Sequence, residues 1–300
     1  MALSGELFSI AAGGYRAEVA EVGAALAGLW LADRPITVDA DPDQLPPKSS
    51  GAVLAPWPNR IRDGRYRFDE TGFQLPLTEP AAGNASHGLV KWVRWACQDR
   101  HPDRLTLVHE LVPQTGYPFE LRLELRYALD PVTGLSVRLT AHNTGRQAAP
   151  FGAGFHPYLD LAGHPLDSTE LLIPADTVLL TDSQQIPVRR EPVAGTSFDF
   201  RSIRPIGADR LDHGFTDLTG RAAVLRTPDR TVELHWDARF SHLQVFTPPF
   251  ITPGRTAVAI EPMSCAADAF NSGDGLVRLA PGQSWSAGWR IAVTSGSVGG

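Results

Sequence analysis

A glutamate at the end of an apolar run is the most unusual chemical group in this 300-residue sequence. The residues Ala257–Ile260 lead directly into Glu261, and a proline follows. This pattern predicts a buried strand that ends in a carboxylate. Because an unpaired buried carboxylate costs several kcal/mol, Glu261 must have either a partner or a chemical role. We expect a chemical role.

A histidine in a glycine-rich segment could supply the matching proton carrier. His156 lies in FGAGFHPYLDL, residues Phe151–Leu161. Glycines let the backbone approach other groups closely, and Pro157 fixes the direction in which the chain leaves the histidine. Imidazole titrates near neutral pH. A core histidine packed among aromatic rings is the alternative interpretation.

Two earlier segments carry groups that suit a sugar. Trp57 stands between two prolines, and Arg60 follows it closely. An indole can stack on the C–H face of a sugar ring while a guanidinium donates hydrogen bonds to its hydroxyls. His87 stands directly before a glycine in the next such segment. The alternatives are a loop whose arginines face solvent and a purely structural histidine.

Taken together, these segments resemble the aldose 1-epimerase (galactose mutarotase) family. Any one match would be weak, but five in family order cover most of the chain. The matching stretches are NRI at Asn59–Ile61, HG before a tryptophan-bearing strand at His87–Trp95, GFHPYLDL at Gly154–Leu161, LDHGF at Leu211–Phe215 and EPMSCAADAFNSGDGL at Glu261–Leu276.

The resemblance implies a β-supersandwich with the sugar in a shallow cleft on one sheet. It implies that Glu261 is the general base and His156 the general acid of a mutarotase. By the same residue-wise match, Arg60, His87 and Asp212 would bind sugar hydroxyls. No metal or organic cofactor is implied.

The sequence departs from the family pattern where it bears on the substrate. Galactose-active members commonly show HGG where this chain has His87-Gly88-Leu89, and HSYFNL where it has His156–Leu161. The HGL form is closer to the hexose-6-phosphate epimerase side of the superfamily. An unmodified glucose- or galactose-like aldohexose is our first expectation. The alternative is a phosphorylated or sulfonated hexose held by a basic cluster, for which the candidates are Arg62, Arg65, Lys91 and Arg94.

Exchange of anomers explains the need for both an acid and a base. Ring opening removes a proton from the C1 hydroxyl and adds one to the ring oxygen, and closure reverses both transfers. We therefore expect Glu261 and His156 on opposite sides of the C1–O5 unit, separated by the width of one pyranose.

Two other classes of protein remain open at this stage. A non-catalytic carbohydrate-binding protein would use Trp57 and Arg60 but has no need of a carboxylate after an apolar strand. A glycoside hydrolase would use two carboxylates. Asp212 could supply the second, but His156 would then have no role.

The elements that must position these groups are short strands. The sequence contains 28 Gly and 25 Pro spread over its whole length, as proteins with many turns require. Residues 105–112, 120–127 and 135–141 alternate between apolar and polar, which predicts an antiparallel meander with one wet face. Further strands are predicted at 170–173, 178–181, 222–226, 231–236, 242–246, 257–261 and 285–293. The sequence thus predicts one all-β domain over residues 1–300, a large antiparallel β-sandwich.

Composition narrows the partners. A formal net charge of -6 argues against nucleic acid or an anionic membrane surface, which leaves a small neutral molecule such as a sugar. Two cysteines, Cys97 and Cys265, predict buried free thiols in a reducing compartment. The N-terminus lacks the pattern of a signal peptide, and no apolar run is long enough for a membrane span. We expect a cytoplasmic monomer or homodimer with a frayed tail at Thr294–Gly300.

Overall fold

The protein is described by a computed structural model over residues 2–44, 46–248 and 257–295. Strands dominate these residues. The strands up to residue 130 are β1 (Leu7–Ala12), β2 (Tyr15–Ala20), β3 (Leu26–Leu31), β4 (Arg34–Pro35), β5 (Val53–Leu54), β6 (Arg60–Arg62), β7 (Arg65–Phe68), β8 (Thr71–Gln74), β9 (Asn84–Ser86), β10 (Ala96–Arg100), β11 (Arg104–Leu111) and β12 (Leu121–Asp130).

The remaining strands contain most of the candidate site. They are β13 (Gly134–Asn143), β14 (Ala149–Phe151), β15 (Gly154–Phe155), β16 (Tyr158–Asp160), β17 (Glu170–Leu172), β18 (Ala175–Thr181), β19 (Pro187–Pro192), β20 (Arg204–Pro205), β21 (Asp212–Leu218), β22 (Ala222–Arg226), β23 (Arg230–Trp236), β24 (His242–Phe246), β25 (Ala257–Met263), β26 (Val277–Leu279) and β27 (Ser284–Ser295). Helical structure in these ranges is limited to α1 (Ala269–Ser272) and 3-10 turns at Pro47–Ser49 and Leu166–Ser168.

Two large antiparallel sheets form the body of the protein. One has nine strands in the order β10-β11-β12-β13-β27-β23-β22-β17-β20. The other has eight, β19-β18-β21-β24-β25-β15-β5 with β16 also paired to β25. Their inner faces pack together: Phe155 in β15 lies 5.4 Å from Trp289 in β27, measured between ring centroids. The predicted all-β antiparallel sandwich is confirmed.

The predicted meander is confirmed as β11-β12-β13. Leu107, Leu125 and Leu139 are paired across these strands and are all fully buried. Arg126 and Arg138, which are adjacent to Leu125 and Leu139 in the sequence, are exposed, so in β12 and β13 the alternation of residue types sets which side of the strand enters the core.

Three local predictions were wrong. Residues 87–95 form turns and bends, and the strand that follows, β10, begins only at Ala96. Glu261 lies inside a seven-residue strand that continues to Met263, rather than at a strand end. Cys97 is exposed, whereas Cys265 is buried as expected. The tail beyond Ser295 lies outside the described residues, and residues 294–295 belong to β27.

An interrupted ladder beside β25 positions the site. On one side β25 pairs continuously with β24. On the other, β16 pairs with Ala257–Ala259 and β15 pairs with Met263 alone. The break between β15 and β16 contains His156 and Pro157, because proline has no N–H to continue the ladder. His156 therefore lies opposite the stretch of β25 that carries Glu261.

Among the described residues, no helix is long and apolar enough to cross a membrane.

Candidate active site

A cleft on the eight-stranded sheet gathers most of the candidate residues. It encloses about 310 Å³ and is lined by Arg60, His87, His156, Asp212 and Glu261, among others. These five residues come from five separate parts of the sequence. The fold brings five of the six predicted site residues together in one place.

His156 and Glu261 are in direct contact at the base of the cleft. The imidazole Nε2 lies 3.3 Å from carboxylate Oε1, and the two side chains are only 5% and 2% exposed. Within the described structure, Glu261 Oε2 and His156 Nδ1 are buried and have no hydrogen-bond partner. Buried polar atoms are nearly always satisfied, so this pair has unused hydrogen-bonding capacity.

The expected ring-wide separation between the two groups was wrong. A 3.3 Å contact leaves no room for a pyranose between them. The hydroxyl oxygen and the ring oxygen of a hemiacetal are bonded to the same carbon, however. Two touching groups can therefore reach both oxygens from one side of the sugar.

Burial dominates the electrostatics of this pair. It raises the pKa of Glu261, and the nearby carboxylate of Asp212 adds to that effect while Arg60 opposes it. Burial lowers the pKa of His156, and the positive charges of Lys91 and Arg60 lower it further. Burial therefore favours the protonated carboxyl of Glu261 and the neutral imidazole of His156. Across a wide pH range the pair binds one proton in total.

A strained turn holds His87 beside the His156–Glu261 pair. His87 has a φ of 62° and Gly88 a φ of 70°, both in the left-handed region. A Cβ on Gly88 would lie 2.0 Å from the carbonyl oxygen of Ala55, so only glycine fits there. The two imidazole rings of His87 and His156 lie 5.5 Å apart, edge to face.

His87 is a neutral group at ordinary pH. Burial lowers the pKa of His87, and so do the neighbouring His156, Lys91 and Arg60. Its Nδ1 is buried and has no partner among the described residues. A neutral imidazole can donate one hydrogen bond and accept another, which suits a sugar hydroxyl.

Arg60 is held by the carboxylate of Glu79, which also lines the cleft. Its Nε donates to Glu79 Oε2 at 2.7 Å and its Nη2 to Oε1 at 3.0 Å, a bidentate pair. The remaining Nη1 donates to the amide oxygen of Asn59 at 3.1 Å. Glu79 was not predicted from the sequence, because nothing in the chain near it marks it as the partner of an arginine 19 residues earlier.

Two glutamines hold Asp212. Gln185 Nε2 donates to its Oδ2, and Gln244 Nε2 donates to its Oδ1, each at 2.7 Å. Gln244 is also the cross-strand neighbour of Glu261. Asp212 is thus oriented from both sides, close to Glu261.

Trp57 does not lie at the cleft. It is 3% exposed and packs against Tyr117 and Phe270 in the core. The prolines that stiffen its loop turn the indole inward. The aromatic ring that lines the cleft is Phe246 of β24, whose centroid is 6.4 Å from that of Tyr158.

Only one of the four candidate cations for an anionic sugar lines the cleft. Lys91 does so, together with Lys48 and Ser49. The other three arginines are engaged elsewhere. Arg62 pairs with Asp182, Arg65 donates to Gln74 on the β7–β8 hairpin, and Arg94 pairs with Glu21.

Comparison with known proteins agrees with the fold and the motifs. A family model described as aldose 1-epimerase matches residues 6–292. The chain is 34% identical to the uncharacterized protein YihR of Escherichia coli K12 over 284 residues, which cover 94% of this chain and 92% of YihR. It is 31% identical to the galactose mutarotase of Rattus norvegicus over 176 residues, 55% of this chain and 50% of the rat protein.

Solved structures share the architecture. The galactose 1-epimerase of Lactobacillus acidophilus NCFM superposes with a TM-score of 0.84 at 22% identity, covering 97% of this chain and 96% of that one. A galactose mutarotase-like protein of Clostridium acetobutylicum gives a TM-score of 0.85 at 18% identity, with 97% and 95% covered. At these identities the likeness describes the fold.

The chain belongs to the aldose 1-epimerase family. It is an isomerase of the aldose 1-epimerase type.

Proposed function

We propose that this protein interconverts the α and β anomers of an aldohexose whose anomeric hydroxyl is free, with Glu261 as the base and His156 as the acid. The main support for this proposal is the buried contact of 3.3 Å between His156 Nε2 and Glu261 Oε1 at the base of the cleft. Both groups have unsatisfied polar atoms there within the described structure, and the sugar would supply their partners.

The proposed reaction begins with ring opening. The carboxylate of Glu261 removes the proton of the C1 hydroxyl while the imidazolium of His156 gives a proton to the ring oxygen. The C1–O5 bond breaks, and an open-chain aldehyde forms. Rotation about C1–C2 presents the other face of the aldehyde, and the reverse proton transfers close the ring.

When sugar is bound, the shared proton must lie on His156 and not on Glu261. Burial favours neutral carboxyl and imidazole groups, whereas catalysis uses the ion pair. The two arrangements contain the same number of protons and differ by one transfer between atoms in contact. Hydrogen bonds from the sugar to the carboxylate favour its charged form.

The remaining cleft residues fit the binding of hydroxyls. Arg60 and His87 offer donors on one wall, and Asp212, held by its two glutamines, offers acceptors on the other. Phe246 presents an apolar surface for the C–H face of the ring. Arg60, His87 and Asp212 are therefore proposed as binding residues, and Trp57 is not.

Two substitutions test the assignment. Glu261→Gln and His156→Asn should each lower the rate of mutarotation roughly 10²–10⁴-fold, the contribution of one positioned proton transfer. Optical rotation or one-dimensional NMR exchange on freshly dissolved α-anomers gives the rate above the water background. Circular dichroism should show an unchanged fold.

His235→Asn is the matched control. His235 pairs with Glu233 on the outer side of the nine-stranded sheet. The cleft lies on the other large sheet. This variant should keep the wild-type rate. A Glu261 or His156 variant as active as the control would disprove the acid and base roles.

A further inference from the structure

Lysine is almost absent from this protein, and its few copies share one location. Of the 27 Lys and Arg residues in the sequence, only Lys48 and Lys91 are lysines. Both line the cleft. The other 25 of these residues are arginines, and of the two lysines Lys48 is exposed and Lys91 is half-buried.

The more buried of the two lysines lacks a carboxylate contact in the described structure. Its Nζ donates to the hydroxyl of Ser49 at 3.3 Å. Burial lowers the pKa of Lys91, and the charge of Glu79 opposes that effect. Both oxygens of Glu79 already accept from Arg60. The ammonium of Lys91 is therefore a half-buried cation that has one side-chain hydrogen-bond partner, Ser49, among the described residues and further donors for a ligand.

The lysines lie at the His156 end of the cleft. Gly51 N–H donates to the carbonyl of His156 at 2.9 Å, which ties the turn that carries Lys48 and Ser49 to the histidine. Tyr158 stacks on the His156 ring at 4.9 Å, and its hydroxyl donates to the carbonyl of Lys48 at 3.4 Å.

The carboxylates lie at the other end. Asp212 is held by Gln244, the cross-strand neighbour of Glu261. The cleft is thus polarised along its length. Lys91 lies beside the acid, with Lys48 nearby, and Asp212 lies beside the base, whereas the charge of Arg60 acts on both His156 and Glu261.

The proposed chemistry indicates which part of the sugar lies near the two lysines. The acid protonates the ring oxygen O5, and O5 is bonded to C5, which carries the exocyclic carbon C6. A group beside His156 and remote from Glu261 therefore faces the C6 substituent. We propose that Lys91, Ser49 and Lys48 form a subsite for an anionic oxygen-bearing group on C6, either a phosphate ester or a sulfonate.

This inference rests on the proposed acid role of His156. Ammonium and hydroxyl donors suit the tetrahedral oxygens that phosphate and sulfonate share. A neutral C6 hydroxyl would leave the charge of Lys91 uncompensated. The preferred substrate is then the anionic alternative to a plain aldohexose.

Exchange NMR at anomeric equilibrium tests the substrate class directly. Rates should be compared for glucose, glucose 6-phosphate and a glucose with a sulfonate at C6. Wild-type kcat/KM should be at least tenfold higher for one or both anionic sugars than for glucose. The better of the two identifies the anion.

Lys91→Met tests the subsite residue. It should lower the ratio of kcat/KM for the preferred anionic sugar to that for glucose by roughly 10–100-fold, the range expected for a lost charged hydrogen bond. Arg65→Met, on the exposed β7–β8 hairpin, is the control and should leave the ratio unchanged. A Lys91 variant that slows all three sugars equally would overturn the subsite.

The scarcity of lysine allows a binding test that does not depend on turnover. Reductive ¹³C-methylation keeps the ammonium charge and labels the two lysines and the terminal amine. The preferred anionic sugar should shift the Lys91 signal, identified by its loss in Lys91→Met, whereas glucose should leave it in place.

The possible failures are separable. Equal kcat/KM for glucose and both anionic sugars, with no shift of the Lys91 signal, would overturn the subsite and leave the mutarotase proposal standing. Absence of acceleration for every sugar, together with a shifted Lys91 signal, would overturn the catalytic proposal instead.

Discussion

Glu261 and His156, the proposed base and acid, are two groups whose charged forms are both destabilised by burial. The pKa of Glu261 is raised and that of His156 is lowered, chiefly by loss of solvent. Neither residue is placed where it best stabilises the fold. Such local cost is typical of sites that trade stability for function.

Glu261→Gln should therefore stabilise the protein, and more so as pH rises. A carboxyl whose folded-state pKa is raised contributes its full stability below its ordinary pKa and loses it as pH increases. The variant should match the wild type near pH 4 and exceed it by roughly 1–3 kcal/mol near pH 7–8.

Urea unfolding at several pH values measures this difference. Glu70→Gln, at a fully exposed position, is the control and should show no such trend. A Glu261→Gln variant less stable than wild type at pH 8 would show that the buried carboxylate is stabilised by its surroundings.

At the residue scale, the candidate acid and base could be predicted from the sequence, whereas the residues that hydrogen-bond the other site residues could not. His156 and Glu261 could be singled out because a charge beside apolar residues is conspicuous. Gln185, Gln244 and Glu79 could not, because polar residues are common in strands and loops and their partners are distant in sequence. Trp57 was misplaced because a ring fixed between prolines gives no sign of which way it faces.

At the scale of elements, backbone irregularities position the site. The break between β15 and β16 holds His156, and the left-handed pair His87–Gly88 holds the second imidazole. Leu89 N–H donates to Ala55 carbonyl at 2.7 Å, the same oxygen that a side chain on Gly88 would strike. The turn is thus locked to the loop before Trp57.

Gly88→Ala should damage both stability and activity. The added carbon would meet the Ala55 oxygen at 2.0 Å, so the turn must move and displace His87. Gly207→Ala is a matched control, because Gly207 has a φ of 65° and nothing within 4 Å of an added carbon. The control isolates the cost of the left-handed backbone.

Thermal unfolding and kinetics separate the two effects. Gly88→Ala should be less stable than Gly207→Ala by roughly 2–3 kcal/mol, and it alone should reduce kcat/KM. Equal losses in the two variants would mean that the close approach to Ala55 is unimportant.

The strands with clear alternation were predictable, and the irregular ones were not. Residues 120–127 and 135–141 show the period-2 pattern of half-buried strands, and β12 and β13 contain all of them except residue 120. The stretch 87–95 contains apolar and aromatic residues yet forms turns, because two consecutive left-handed residues cannot continue a strand. Backbone breaks of this kind leave little trace in composition.

At the scale of the whole molecule, one hydrophobic core joins the sheets. It contains residues from Phe8 in β1 to Ile291 in β27. A core that includes residues of the first and the last strand favours the prediction of a single domain. The way in which the protein unfolds tests that prediction.

Urea denaturation should give one transition. Several tryptophans are buried in different parts of the chain, among them Trp95 in the turn region before β10, Trp236 in β23 and Trp289 in β27, so their fluorescence reports on most of the core. Fluorescence and far-ultraviolet circular dichroism should have coincident midpoints, as two-state unfolding requires. Two separated midpoints would mean that parts of the sandwich unfold independently.

The touching acid and base also affect how successive turnovers can follow one another in the proposed reaction. Opening the ring moves one proton onto the carboxylate and one off the imidazole, and closing it on either face moves both back. The pair ends each cycle with the proton inventory it had at the start. Turnover then requires no exchange with buffer, and the same pair serves both the α and the β anomer.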